Sequence, residues 1–336
     1  MKILIVPPNW LGDLLFLTPA LRAIRRAHPD SFIICLCPEA GMDLLKGNPH
    51  LNEIIPMKES RGFSGVVNWW LLVGTLRAKN FDTAFLFHRS FTRTAAVWLA
   101  GIRQRIGYRT RKQGWLLTRV VEQPPADSIH KAAWFLNLVE AAGIPSDGLG
   151  YDLELSGEDV ARADQLLKEC RVDPKLPLVA LHPGANWNLK RWPAENFARL
   201  ADLLSSRCRV QVIFVGGQGD LPLVKQITRM MRTQPFVATG RTTLRQSGAL
   251  LKRARVLVSN DSGPLHLGVA VGTPVIGLFG PTVPVLTGPP PGAKAVTLFG
   301  SIGCPVPCYQ LRCPANLCMH QISVEQVAAA AEQFLG

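Results

Sequence analysis

Apolar runs of four or five residues recur along this chain. Each is followed by a polar or glycine-bearing turn and then by apolar positions spaced three and four apart. Runs at 3–6, 32–36, 54–57 and 84–87 predict buried strands. Helical spacing follows at 14–27, 40–46, 67–78, 92–99 and 131–142, the last ended by Gly143 and Pro145. This alternation predicts a parallel, doubly wound α/β sheet. A charged helix with little core character is expected over 152–173, and Pro174 and Pro177 then interrupt the chain. The pattern starts again with strands at 178–181 and 210–215 and helices at 194–205, 221–231 and 244–252. An apolar run at 256–258, a polar turn, a helix at 265–271 and a strand at 275–279 follow, and an amphipathic helix over 324–334 closes the chain. The expected organisation is a first α/β domain over 1–155, a linker region over 156–177 and a second α/β domain over 178–321. For the terminal helix, 322–336, packing back on the first domain is one option. Two similar halves suggest a small-ligand cleft between them.

Composition narrows the class. With 336 residues, 47% of them hydrophobic and 18% charged, the chain can bury a large core, and its balance is not that of a disordered protein. The formal charge of +13 is concentrated: eight basic residues lie between Arg89 and Arg119 with no acid among them. Such a field favours a polyanion, which leaves nucleic acid, an anionic membrane surface or a phosphorylated glycolipid. No nucleic-acid-binding motif with interleaved aromatics accompanies it. The stretch 262–293 lacks charged residues, but its many glycines and prolines exclude a spanning helix; 63–76, with Trp69 and Trp70, is too short to span. That segment suits either packing on a sheet or contact with a membrane surface. Met1-Lys2 leads directly into a strand, with no signal-peptide pattern, so the cytosol is expected, with the eight cysteines reduced.

Three turns of the second half follow strands, where a parallel sheet binds ligands. His182-Pro183-Gly184-Ala185-Asn186 has small residues that let the backbone approach a ligand, and Lys190 and Arg191 beyond it offer charge to a diphosphate. Gly216-Gly217-Gln218-Gly219 lacks the complete dinucleotide fingerprint, but Asp220 after it can accept hydrogen bonds from ribose hydroxyls. Ser259-Asn260-Asp261-Ser262-Gly263 precedes a helix, so it is an anion site or simply a capping turn. In the first half, Gly12 permits close approach and Asp13 stands at a helix start. There Asp13 is either a favourable helix-terminal carboxylate or a general base for a sugar hydroxyl.

These segments carry a family resemblance that covers nearly the whole chain. Asn9-Trp10-Leu11-Gly12-Asp13, Arg105-Ile106-Gly107-Tyr108-Arg109, His182 to Ala185 with Lys190-Arg191-Trp192-Pro193, Asn260 to His266 and Phe279-Gly280-Pro281-Thr282 together resemble the ADP-heptose:lipopolysaccharide heptosyltransferases, glycosyltransferase family 9, nearest the heptosyltransferase II branch. The resemblance implies a GT-B architecture of two Rossmann-like domains facing a central cleft. It also implies inverting transfer from ADP-L-glycero-D-manno-heptose to an anionic lipid A-Kdo-heptose acceptor, most simply of the second heptose, with no cofactor. Asp13 matches the family's catalytic base and Lys190 a residue stabilising the departing ADP. Gly184, Ala185, Asn186, Asp220, Asp261, Ser262, Gly263 and His266 match the donor side. Gly12, Arg89, Arg93, Arg105, Arg109 and Arg111 are the acceptor candidates. Asp261 is expected to orient the donor, shape the turn or orient His266. His266 itself is a phosphate contact or a packed side chain, and Trp187 and Trp192 read as packing residues.

Such an enzyme would sit in the cytoplasm, with peripheral contact at the inner face of the inner membrane, and would not bind nucleic acid. Cys304, Cys308, Cys313 and Cys318 lie in one proline-rich loop and could bind a structural zinc, but they lack paired C-x-x-C spacing; no metal is expected in the catalytic site. Other acceptor specificities and a GT-B-like nucleotide-sugar epimerase are the rival enzymes; an NAD-linked dehydrogenase lacks its fingerprint.

Overall fold

A computed structural model describes residues 1–57, 62–125, 127–308, 313 and 315–336. It comprises two compact units, Met1–Glu154 and Leu155–Gly336. The first holds strands β1 (Lys2–Val6), β2 (Phe32–Pro38), β3 (Glu53–Met57), β4 (Thr83–Leu86), β5 (Gln104–Tyr108) and β6 (Arg119–Val121). All neighbours pair in parallel, in the order β3-β2-β1-β4-β5-β6. Helices α1 (Leu11–Ala27), α2 (Met42–Leu45), α3 (Gly62–Lys79), α4 (Phe91–Leu99) and α5 (Lys131–Glu140) accompany them. Ile3 to Val6 are wholly buried, which explains the unbroken apolar run of a strand covered on both faces.

Helix α1 runs through Pro19, which has no N–H to give the carbonyl four residues back. Thr18 supplies the missing donor, its hydroxyl reaching the Leu15 carbonyl at 2.7 Å. The helix thus starts at Leu11, earlier than its periodicity indicates, and carries Gly12 and Asp13 in its first turn.

The second unit begins with α6 (Gly157–Glu169), which lies in the stretch expected to be a linker. A capping box between Ser156 and Asp159 starts this helix, and Ala163 and Leu166 bury its inner face. The helix packs on α9 (Leu244–Leu251), where Arg245 pairs with Asp159 at 2.5 Å. Strands β7 (Leu178–His182), β8 (Gln211–Phe214), β9 (Phe236–Val237), β10 (Val256–Asn260), β11 (Val275–Phe279) and β12 (Ala295–Phe299) pair in parallel as β12-β11-β10-β7-β8-β9. Counted from its own first strand, this is the order of the first sheet. Helices α7 (Ala194–Cys208), α8 (Leu221–Met230), α10 (Gly263–Ala270), α11 (Pro284–Thr287), α12 (Leu317–His320) and α13 (Val324–Glu332) complete the unit.

The terminal helix α13 spends its apolar face inside this second unit. Val324, Val327, Ala328 and Ala331 are buried in the core with Trp192 and Phe197, and the helix packs on α7. Burying the two valines alone is worth about 3–6 kcal/mol, which ties this face of the helix to the second unit. Strands β5, β6, β9 and β12 had no counterpart in the apolar pattern. β5 and β6 each begin with exposed polar or basic residues, β9 has two residues, and β12 is only half buried.

Candidate active site

In each sheet the strand order reverses beside the unit's first strand, between β1 and β4 and between β7 and β10. The crevice beyond the carboxyl ends at such a switch point is where open parallel sheets bind ligands.

At the second switch point β7 ends in His182 and β10 in Asn260, both buried. Ser262 Oγ lies 3.0 Å from His182 Nδ1, and Asp220 Oδ2 lies 3.5 Å from its Nε2. Asp220 also accepts the Gly217 amide at 2.9 Å. Burial opposes its ionisation, but His182, the Gly217 amide and Arg191 together hold its pKa below the ordinary value. Two glycines make room for this carboxylate. A Cβ on Gly184 would come within 2.1 Å of Asp220 Oδ1, and one on Gly216, whose φ is +144°, within 2.7 Å of Oδ2. Asn260 ties the strands' ends together: its Oδ1 accepts the Trp192 amide at 3.0 Å, and its Nδ2 donates to the Pro183 carbonyl at 2.8 Å.

Asp261 is buried, and Lys190 Nζ and Thr282 Oγ1 each donate to its Oδ2 at 2.7 Å. The ammonium and the Thr282 hydroxyl thus share one carboxylate oxygen, while the ammonium keeps partial exposure. Beside the pair, α10 begins at Gly263 with no side-chain cap, because the Ser262 hydroxyl is engaged with His182 and the Asn260 carbonyl. Pro264 has no N–H and the Leu265 amide bonds the Ser262 carbonyl, so the Ser262 and Gly263 amides and the helix dipole are what this start offers an anion. Ala185 is buried, its carbonyl accepting Arg191 Nη2 at 2.9 Å, while Asn186 is exposed on the same loop. His266 is buried within α10. Trp192 is a core residue, its indole donating to the Ile322 carbonyl at 2.8 Å. The structure thus gathers Gly184, Lys190, Asp220, Asp261, Ser262 and Gly263 at one sheet edge.

At the first switch point Asp13 sits in the first turn of α1, after β1. Burial raises its pKa, and Lys131 partly offsets this. Across the switch, His88 follows β4. Its Nδ1 accepts the Ser90 amide at 2.8 Å, its Nε2 meets no partner among the described residues, and burial beside Arg93 lowers its pKa to about 3. Arg93 is buried, with Nη1 3.5 Å from the Pro7 carbonyl, which joins the two strands' ends.

The remaining acceptor candidates separate. Arg89 is exposed, 5.5 Å above the Trp134 ring, and Arg111 is exposed. Arg109 pairs with Glu122. Arg105 is committed to the fold, donating to the carbonyls of Leu116 at 2.6 Å and Ile102 at 2.5 Å. Cys304, Cys308, Cys313 and Cys318 are free thiols; 309–312 and 314 lie outside the described residues. Among the described residues, no three His, Cys, Asp or Glu side chains gather in a way that could hold a metal ion.

His182, Asn260, Thr282 and His88 were not singled out in the sequence as site residues. The signal was present: each is a polar residue closing, or just beyond, an apolar strand run.

The model of glycosyltransferase family 9 (heptosyltransferase) matches residues 69–318. Lipopolysaccharide heptosyltransferase 2 of Escherichia coli (strain K12) is 29% identical over 315 residues, 88% of this chain and 87% of its own length. The crystal structure of a family 9 glycosyl transferase from Veillonella parvula DSM 2008 superposes with a TM-score of 0.88 at 26% identity, covering 99% of this chain and 97% of that one. The structure of E. coli ADP-heptose lps heptosyltransferase II gives 0.83 at 25% identity, over 100% and 98%. The α/β fold with two parallel sheets is thus the GT-B fold of these enzymes.

Proposed function

The chain belongs to glycosyltransferase family 9, the heptosyltransferases, and on that premise we propose that it transfers L-glycero-D-manno-heptose from ADP-heptose to the inner core of lipopolysaccharide, adding the second heptose with inversion. Asp13 takes the proton of the acceptor hydroxyl as its oxygen attacks the anomeric carbon. Lys190 and the N–H groups at the start of α10 stabilise the diphosphate as ADP leaves. Asp220 holds the ribose, and the 184–186 loop lies along the nucleotide. Asp261 positions Lys190. Arg89, Arg93 and Arg111 meet the carboxylates and phosphates of the acceptor; Arg105 and Arg109 act through the fold that presents them. The reaction takes place at the cytoplasmic face of the inner membrane. Among the described residues no helix is long and apolar enough to cross a membrane; the contact proposed is a peripheral one.

The observation that best supports the reading is the Lys190–Asp261 pair beside the uncapped start of α10. It provides a fixed cation and a helix N-terminus where a diphosphate leaving group needs both. The asymmetry of Asp13 supports its role, since a base with a raised pKa is better matched to neutral-pH proton transfer. Purified protein should release ADP only when ADP-heptose and a Kdo-containing core acceptor are both supplied, and NMR of the product should show a new heptose–heptose linkage. Turnover of ADP-heptose with no acceptor would instead make the protein an epimerase or hydrolase.

A further inference from the structure

We infer that the face formed by α3, α4 and the turn at 114–116 docks on an anionic lipid bilayer. Helix α3 has no charged residue from Gly62 to Leu76. Val73 and Leu76 bury one side of it, yet Val66, Val67, Trp70 and Leu71 face solvent, Leu71 being 63% exposed. Helix α4 continues this surface. Trp69 Nε1 donates to the Thr92 carbonyl at 2.8 Å and Arg77 Nη2 to the Leu99 carbonyl at 2.7 Å, fastening α3 to both ends of α4. Phe91 and Trp98 project from α4, and Trp115, 69% exposed, lies 6.5 and 6.2 Å from their rings. The same helix α3 walls an open cleft of about 1150 Å³ lined by Met57, Leu72 and Arg93, so the apolar face continues into the unit.

Two features select a bilayer as the occupant. Exposed tryptophans beside aliphatic side chains suit the membrane–water interface, where an indole is half in hydrocarbon and half hydrated. From α4 through the turn at 114–116 the charge is of one sign: Arg103 and Lys112 are exposed, and no acid occurs between Thr83 and Val121. An anionic leaflet complements that face. A second copy docking through a twofold axis would instead bring these cations together. Helix α3 would lie in the interface plane. This inference deepens the proposed function, resting on it for a lipid-linked acceptor, but it has its own readout.

The test is co-sedimentation with vesicles of phosphatidylcholine mixed with phosphatidylglycerol, against phosphatidylcholine alone. The protein should pellet with the anionic vesicles, with a blue shift of tryptophan emission. A Val67→Glu/Trp98→Glu variant should bind at least about tenfold more weakly, while keeping its unfolding midpoint and its turnover of a water-soluble, deacylated acceptor. Arg103→Glu/Lys112→Glu should lose anionic selectivity by about fivefold or more per residue. Three results would overturn the inference: wild-type protein left in the supernatant, a folded Val67→Glu/Trp98→Glu variant that pellets like wild type, or a concentration-dependent dimer abolished by that variant. If vesicle binding follows the expected pattern but no heptosyl transfer occurs, the docking face stands and the proposed reaction falls.

Discussion

Beyond β7 and β10, polar side chains hold one another. Ser262 and Asp220 flank His182, Asn260 pins both ends of the connection between β7 and α7, and Lys190 and Thr282 converge on Asp261. Beyond β1 and β4, at the same place in the same strand order, the groups are buried but sparsely partnered. Asp13 has its pKa raised by burial, and His88 keeps an unbonded ring nitrogen beside Arg93. A preorganised polar site costs no rearrangement when charge develops on a leaving group. A carboxylate whose pKa is raised by burial suits the proton-accepting role proposed for Asp13. On the proposed function one topology serves two tasks, and the difference lies in how far the polar groups at each switch point are bonded to one another.

The largest expected effect comes from the sparse side. Asp13→Asn should lower kcat by about 10²–10⁴-fold with donor affinity unchanged in a binding titration; near-normal turnover would remove the carboxylate from the chemistry. On the dense side, Lys190→Ala should cost about 10²–10³-fold in kcat. Asp261→Asn should reproduce part of that loss, because it leaves the ammonium in place but weakly held; steady-state kinetics of both variants tests the ordering. Gly184→Ala drives a Cβ into the Asp220 carboxylate. It should raise the donor KM by about tenfold, the worth of one displaced hydrogen-bonding group, and leave acceptor KM alone.

Acid separates the two sites again. The pKa of Asp13 is raised and that of Asp220 lowered. As pH falls, Asp13 is protonated first, so kcat should decline at a higher pH than an ordinary aspartate near 3.8 would allow, before donor binding weakens. For stability, His88 has a folded pKa of about 3 against 6.5. Its contribution is complete above pH 6.5 and is lost as pH falls toward 3, by about 1.4 kcal/mol per pH unit. His88→Gln should flatten that limb in urea titrations; an unchanged slope would contradict the burial argument.

The sheets were legible because a strand buried on both faces must be apolar throughout, as Ile3–Val6 and Val256–Val258 are. β5 and β6 were not, because basic residues at their starts break the run. The donor loops could be read from glycines and charges following strands. The His182–Ser262 and Thr282–Asp261 contacts could not, since they depend on pairings 80 and 21 residues apart in the chain. Arg105 shows the converse: a basic residue in a charged run whose guanidinium is spent on backbone carbonyls.

The central claim is that the second unit holds the nucleotide by itself while the first supplies the base. Calorimetric titration of ADP into wild type, Asp13→Asn and Lys190→Ala tests it directly. Asp13→Asn should bind ADP as wild type does, and Lys190→Ala should bind at least about tenfold more weakly, the value of one charge-assisted contact. Equal ADP affinity in wild type and Lys190→Ala, or a loss confined to Asp13→Asn, would contradict it.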